Sequence, residues 1–171
     1  MGTAKVIEIK IRGEFTPNML QSFNKQMAAM VNPCICVLDI ESVGGYVYIL
    51  EAMANTITEK KAQGFVFVTN VDKYAYSCGF MLFLMGDIKI AADNAELMYH
   101  AAGVDVWDRL TSIDAKQIYD ELIACDAVTD KIMLENTNIV PEMFAILKKN
   151  TNFFNRADMV HMGIMENDYT F

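Results

Sequence analysis

The stretch Cys34-Ile35-Cys36-Val37-Leu38-Asp39-Ile40-Glu41-Ser42-Val43-Gly44-Gly45 decides the fold. From Cys34 to Ile40 the apolar run is interrupted only by Asp39, the pattern of a strand in a sheet covered on both faces. Ser42 to Gly45 reads as a turn, and a helix is expected over about 46–62, where Gly64 stops it. Phe65 to Thr69 is a further buried strand. Strand, helix and strand in this order make a crossover unit, the connection that parallel strands require.

The pattern continues on both sides. Val6 to Ile11 alternates, with Ile7, Ile9 and Ile11 on one face and Glu8 and Lys10 on the other. Gly13 to Pro17 reads as a turn, in which Thr16 is the N-cap and Pro17 the first helical residue. Leu20, Phe23, Met27 and Met30 recur at helical spacing until Asn32-Pro33. Downstream, Asn70 to Tyr76 reads as loop, and a helix runs from Ser77 to about Met85. Ile88 to Ala91 and Leu97 to Tyr99 are short strands. Thr111-Ser112-Ile113-Asp114 has the form of a capping box. It opens a long helix to about Glu135, with Ile118, Leu122, Cys125 and Ile132 as its apolar stripe. Such a helix either packs on its own sheet or projects toward another subunit. Pro141 to Lys148 and Arg156 to Met162 read as short helices. The alternation predicts an α/β fold with a mostly parallel sheet, built as one domain over 1–171. Ligand sites in such sheets lie at the carboxyl ends of the strands.

Bulk properties narrow the class. The chain has 171 residues, 53% of them hydrophobic, and a net charge of −8. Its mean hydropathy is +0.20. That apolar excess favours a subunit that buries surface in an oligomer. Lys60-Lys61 and Lys148-Lys149 are isolated basic pairs, so nucleic acid is not an expected partner. No run approaches a membrane span, and Met1 to Lys5 lacks the features of a signal peptide, so a cytoplasmic location is expected. Of the 4 cysteines, Cys34 and Cys36 share a strand face and read as buried thiols. Neither a metal site nor a cofactor is expected. The 13 methionines read as core and interface filler.

Against this background a set of candidate reactive residues stands out. Ser77 lies in Tyr76-Ser77-Cys78-Gly79, where loop gives way to helix. His100, one of only 2 histidines, ends an apolar run. A neutral imidazole can take the proton of an attacking hydroxyl. The N–H groups of Gly45 and Cys78 can hold the oxyanion that results. Taken alone, Ser77 could be only a helix N-cap. The gathering of these residues after predicted strands points to acyl transfer.

In that order, Ser42-Val43-Gly44-Gly45, Tyr76-Ser77-Cys78-Gly79-Phe80 and Leu97-Met98-Tyr99-His100 resemble the proteolytic subunit of the Clp protease, the ClpP family. Ile11 to Thr16 and Phe153-Phe154 to Met162-Gly163-Ile164 extend the resemblance over most of the chain. It implies a ClpP/crotonase-like fold of repeated β-β-α and βαβ units with a protruding handle helix. The head would comprise about 1–110 and 140–171, and the handle about 111–136. It also implies a serine endopeptidase acting on peptides or unfolded proteins. Ser77 would be the nucleophile, His100 the base, and Gly45 and Cys78 the oxyanion hole. Self-association into heptameric, commonly stacked, rings is implied as well.

The chain departs from the family in places. The family's aspartate position is Thr151, flanked by Asn150 and Asn152. These three are the candidates for the third triad member, and Asp158 is the nearest acid downstream. The first strand is expected to begin by Val6, so a family-type axial segment is not expected ahead of it, and docking to an unfoldase ATPase is in doubt. Two alternatives stay open. One is a catalytically impaired ClpR-like structural subunit, motivated by Thr151. The other is a crotonase-type acyl-CoA enzyme, motivated by Gly86 to Ala95.

Overall fold

The central apolar run forms a strand that organises the whole sheet. The computed structural model describes residues 5–107 and 109–166. The elements are β1 (Val6–Phe15), α1 (Pro17–Ala29), β2 (Ile35–Gly45), α2 (Val47–Ala62), β3 (Val66–Val71), β4 (Tyr74–Tyr76) and α3 (Cys78–Leu84). They continue with β5 (Ile88–Ala91), β6 (Glu96–Tyr99), α4 (Ser112–Asn136), α5 (Pro141–Leu147), β7 (Asn152–Phe154) and α6 (Arg156–His161). The strand order is β5-β3-β2-β4-β6-β7, with β1 on the other edge of β2. These pairings are parallel except β6 with β7, which is antiparallel.

β2 serves two neighbours in turn. Its first half, Ile35 to Asp39, lies alongside Val66 to Asn70 of β3. Further on, Ser42 pairs with Ala75 of β4. The sheet therefore forks along β2 and curls, and β4 and β6 come to lie beyond the end of β3.

Four sequence expectations need correction. The turn expected at Gly13 to Pro17 is mostly strand, because β1 bulges at Gly13 (φ +80) and pairs on through Glu14↔Gly44 and Phe15↔Gly45. By the same pairing, Gly44-Gly45 ends a strand and is not a turn. Tyr74 to Tyr76, expected as loop, is β4, and Asn152 to Phe154 adds β7. Finally, β2 is not covered equally on both faces. Cys36, Leu38 and Ile40 are fully buried, but Val37, Asp39 and Glu41 are only half-buried. That second face carries ion pairs, Arg12 with Asp39 and Lys73 with Glu41, which keep contact with water.

Helices α1 to α4 pack on one another: α1 touches α2, α2 touches α3, and α4 touches both α2 and α3. Thr16 caps α1 by accepting the Met19 N–H, with Pro17 behind it, and Phe23 and Met27 are buried. α3 is the innermost helix, with every residue from Cys78 to Leu84 buried. Each phenylalanine in it contributes about 2–3 kcal/mol by leaving water. The Thr111–Asp114 capping box opens α4, whose 25 residues span roughly 37 Å. Only Thr129, Ile132 and Met133, all toward its C-terminal end, are fully buried. Ile113, Tyr119 and Ile123 on the earlier turns are exposed. No helix among the described residues is long and apolar enough to cross a membrane.

Candidate active site

The chain enters Ser77 from β4 and leaves it as α3, so the serine sits on a strand-to-helix corner. Its backbone has φ 52 and ψ −118, and it is the only non-glycine residue with positive φ among those described. A side chain held there strains the backbone by roughly 1–3 kcal/mol. What over-determines it is visible: its N–H donates to Met98 O on β6 at 2.8 Å, and its C=O accepts from Met81 N at 3.0 Å. Ser77→Gly is therefore expected to be more stable than Ser77→Ala by about 1 kcal/mol. Equal unfolding midpoints in urea would show that the corner carries no strain.

Gly44 lies directly against this corner. A Cβ on Gly44 would fall 2.7 Å from Ser77 Cβ and 3.1 Å from Ser77 Oγ. Its φ of +97 is likewise a glycine conformation. Ser42 holds it in place: its buried hydroxyl donates to Gly13 O at 2.5 Å and accepts the Gly44 N–H at 3.1 Å. The Gly-Gly pair is visible in the sequence, but residue type and order give roles only to Gly45 and Cys78, not to Gly44 or Ser42.

Gly45 and Cys78 are brought together, because the Cys78 thiol donates to Gly45 O at 3.2 Å. As the first residue of α3, Cys78 has no intrahelical acceptor for its N–H. The thiol itself is a poor nucleophile. Burial pushes its pKa up to about 11, so it stays protonated at neutral pH. The other thiol of interest, Cys36, is raised to about 12 by burial and by neighbouring Cys34. All 4 cysteines are free, and Cys34, Cys36 and Cys78 are buried.

His100 follows β6, the strand next to β4, and is half-buried. Its Nδ1 lies 2.7 Å from the C=O of Ala101. A carbonyl only accepts, so this contact places a proton on Nδ1, and in the neutral ring the lone pair is then on Nε2. No hydrogen bond joins Ser77 Oγ to His100 among the described residues, although Ser77 and His100 lie at the ends of adjacent strands.

The three expected candidates for a third member separate clearly. β6 and β7 pair as Met98↔Phe153 and Tyr99↔Asn152. His100 and Thr151 occupy the next position, and Thr151 is exposed. Asn152 commits its amide to Leu147 O at 2.7 Å and Asn150 O at 2.8 Å. It does not back the histidine. Asn150 is exposed and serves as the acceptor of that bond. Asp158 closes a capping box with Asn155 at the start of α6.

The corner serine, the glycine strand end and the imidazole thus lie at the carboxyl ends of the neighbouring strands β2, β4 and β6 of an α/β protein. The mostly parallel, curled sheet is that of the ClpP fold. Residues 4–168 match the Clp protease family, and the chain belongs to that family. That family generally acts on peptide substrates and forms rings. No individual curated protein shows significant similarity to the chain.

Proposed function

We propose that this chain is a ClpP-like serine endopeptidase subunit that works in a ring-shaped oligomer. Ser77 attacks the peptide carbonyl, His100 Nε2 accepts the hydroxyl proton, and the N–H groups of Gly45 and Cys78 hold the oxyanion. The exposed turns of α4 serve as the handle, in a single domain over 1–171. The observation that supports this most is the strained backbone of Ser77. It sets a hydroxyl on a strand-to-helix corner, one strand from an imidazole whose Nδ1 is engaged by a backbone carbonyl.

A second reading rests on a specific observation. No carboxylate stands at Thr151, and no Ser77–His100 hydrogen bond is formed in the free chain, as suits a ClpR-like structural subunit. A fluorophosphonate probe separates the two. An activated serine labels in the wild type, and labelling vanishes in Ser77→Ala. A folded, assembled chain that never labels is a structural subunit.

A further inference from the structure

The acceptor on His100 Nδ1 is one half of a peptide group whose other half is also engaged. The Ala101 C=O accepts from Nδ1 at 2.7 Å. The N–H of the same peptide unit, Ala102 N, donates to Asp126 Oδ1 on α4 at 3.1 Å. In a trans peptide the C=O and N–H point in opposite directions, so one planar unit bridges the imidazole and the carboxylate. We propose that Asp126 fills the third place of the site through this peptide group. It acts as a positioning residue for His100 where a direct carboxylate is missing. The inference rests on the reading of His100 as the base.

Two physical effects support it. A carboxylate on the N–H fixes the direction of the peptide, and so points the carbonyl at Nδ1. Hydrogen bonds in a chain also polarise one another, so an anionic acceptor on the N–H makes the C=O a stronger acceptor. Positive charge forming on the imidazole would then meet a more negative carbonyl oxygen, with the aspartate charge behind it.

Asp126 is itself held in place. Its second oxygen, Oδ2, lies 3.1 Å from Lys148 Nζ, and Lys148 also binds Asp130 at 2.8 Å. Burial disfavours the Lys148 ammonium, but the hydrogen bonds to Asp130 and Asp126 outweigh it and raise its pKa. The lysine therefore stays charged and keeps Oδ2 occupied, while Oδ1 faces Ala102. Two carboxylates share one ammonium, so the cluster retains negative charge. The Tyr99 hydroxyl lies buried without a partner and feels both Asp130 and Asp126, with its pKa raised chiefly by burial.

The test uses histidine-selective 15N NMR of the full chain, which has only 2 histidines to assign. It is paired with the rate of fluorophosphonate labelling. The wild type is expected to carry its His100 proton on Nδ1. In Asp126→Ala that preference is lost, and labelling slows on the order of 10- to 100-fold. Asp126→Asn, which keeps an acceptor of the same shape, falls between the two. A His100 proton on Nε2 in the wild type overturns the proposal. So does an unchanged tautomer in both variants, or unchanged labelling in a labelling-competent chain. If the wild type never labels but the tautomer shifts as expected, the peptidase reading fails and the link from Asp126 to His100 stands.

Discussion

Thr151→Asp is expected to raise peptide hydrolysis about 100-fold. Thr151 lies one position beyond the Tyr99↔Asn152 pair, next to His100 across the β6–β7 ladder. Side chains directly opposite in such a ladder have Cβ atoms roughly 4.5–5.5 Å apart, within reach of a carboxylate. Loss of the acid from a serine triad slows it by about four orders of magnitude. The full factor is not expected back, because the Ala101 carbonyl already holds the imidazole in the useful tautomer. What the new carboxylate adds is charge beside the imidazolium. Stability should change little, since Thr151 is exposed. The measurement is kcat/KM on a fluorogenic peptide, with circular dichroism confirming the fold. A folded variant with no gain would mean that something other than the missing acid limits the rate.

Gly44→Ala is expected to lower fluorophosphonate labelling by about 100-fold or more. The new methyl would sit 2.7 Å from Ser77 Cβ and 3.0 Å from Tyr76 O, and the backbone would be held at φ +97. One neighbour is main chain and the other is fixed by the strained corner, so neither yields cheaply. Displacing the hydroxyl by about 1 Å is enough for a loss of this size. Stability should fall too, by about 2–3 kcal/mol from overpacking and left-handed strain. Labelling at the wild-type rate in a folded Gly44→Ala chain would contradict the close approach of Gly44 to Ser77.

The parts of this fold legible in the sequence are those written in local pattern. β2, α2 and β3 follow from one apolar run, one helical span and the glycine that separates them. The start of α4 follows from Thr111 and Asp114. β4 and β7 escaped because their signals are not local. Tyr74-Ala75-Tyr76 buries only Ala75, and it is a strand because Ser42 and Met98 offer pairing on either side. Asn152 to Phe154 buries only Phe154 and exists as the partner of β6. The candidate site divides the same way. Ser77, His100 and the glycine pair could be picked out by residue type and order. The Ala101 carbonyl could not, because every residue has one. Asp126 could not, because nothing in its neighbourhood along the chain shows that it reaches back 24 residues to Ala102.

The corner at Ser77 also bears on the chain's descent. Glycine adopts φ 52 and ψ −118 without strain, whereas serine there raises the energy of every folded copy. Proteins sit only slightly above the stability they need, and relief of strain is among the easier gains open to them. In a lineage with no use for the hydroxyl, drift would favour glycine at this position. A serine in a glycine's conformation is thus a cost that the fold itself does not call for.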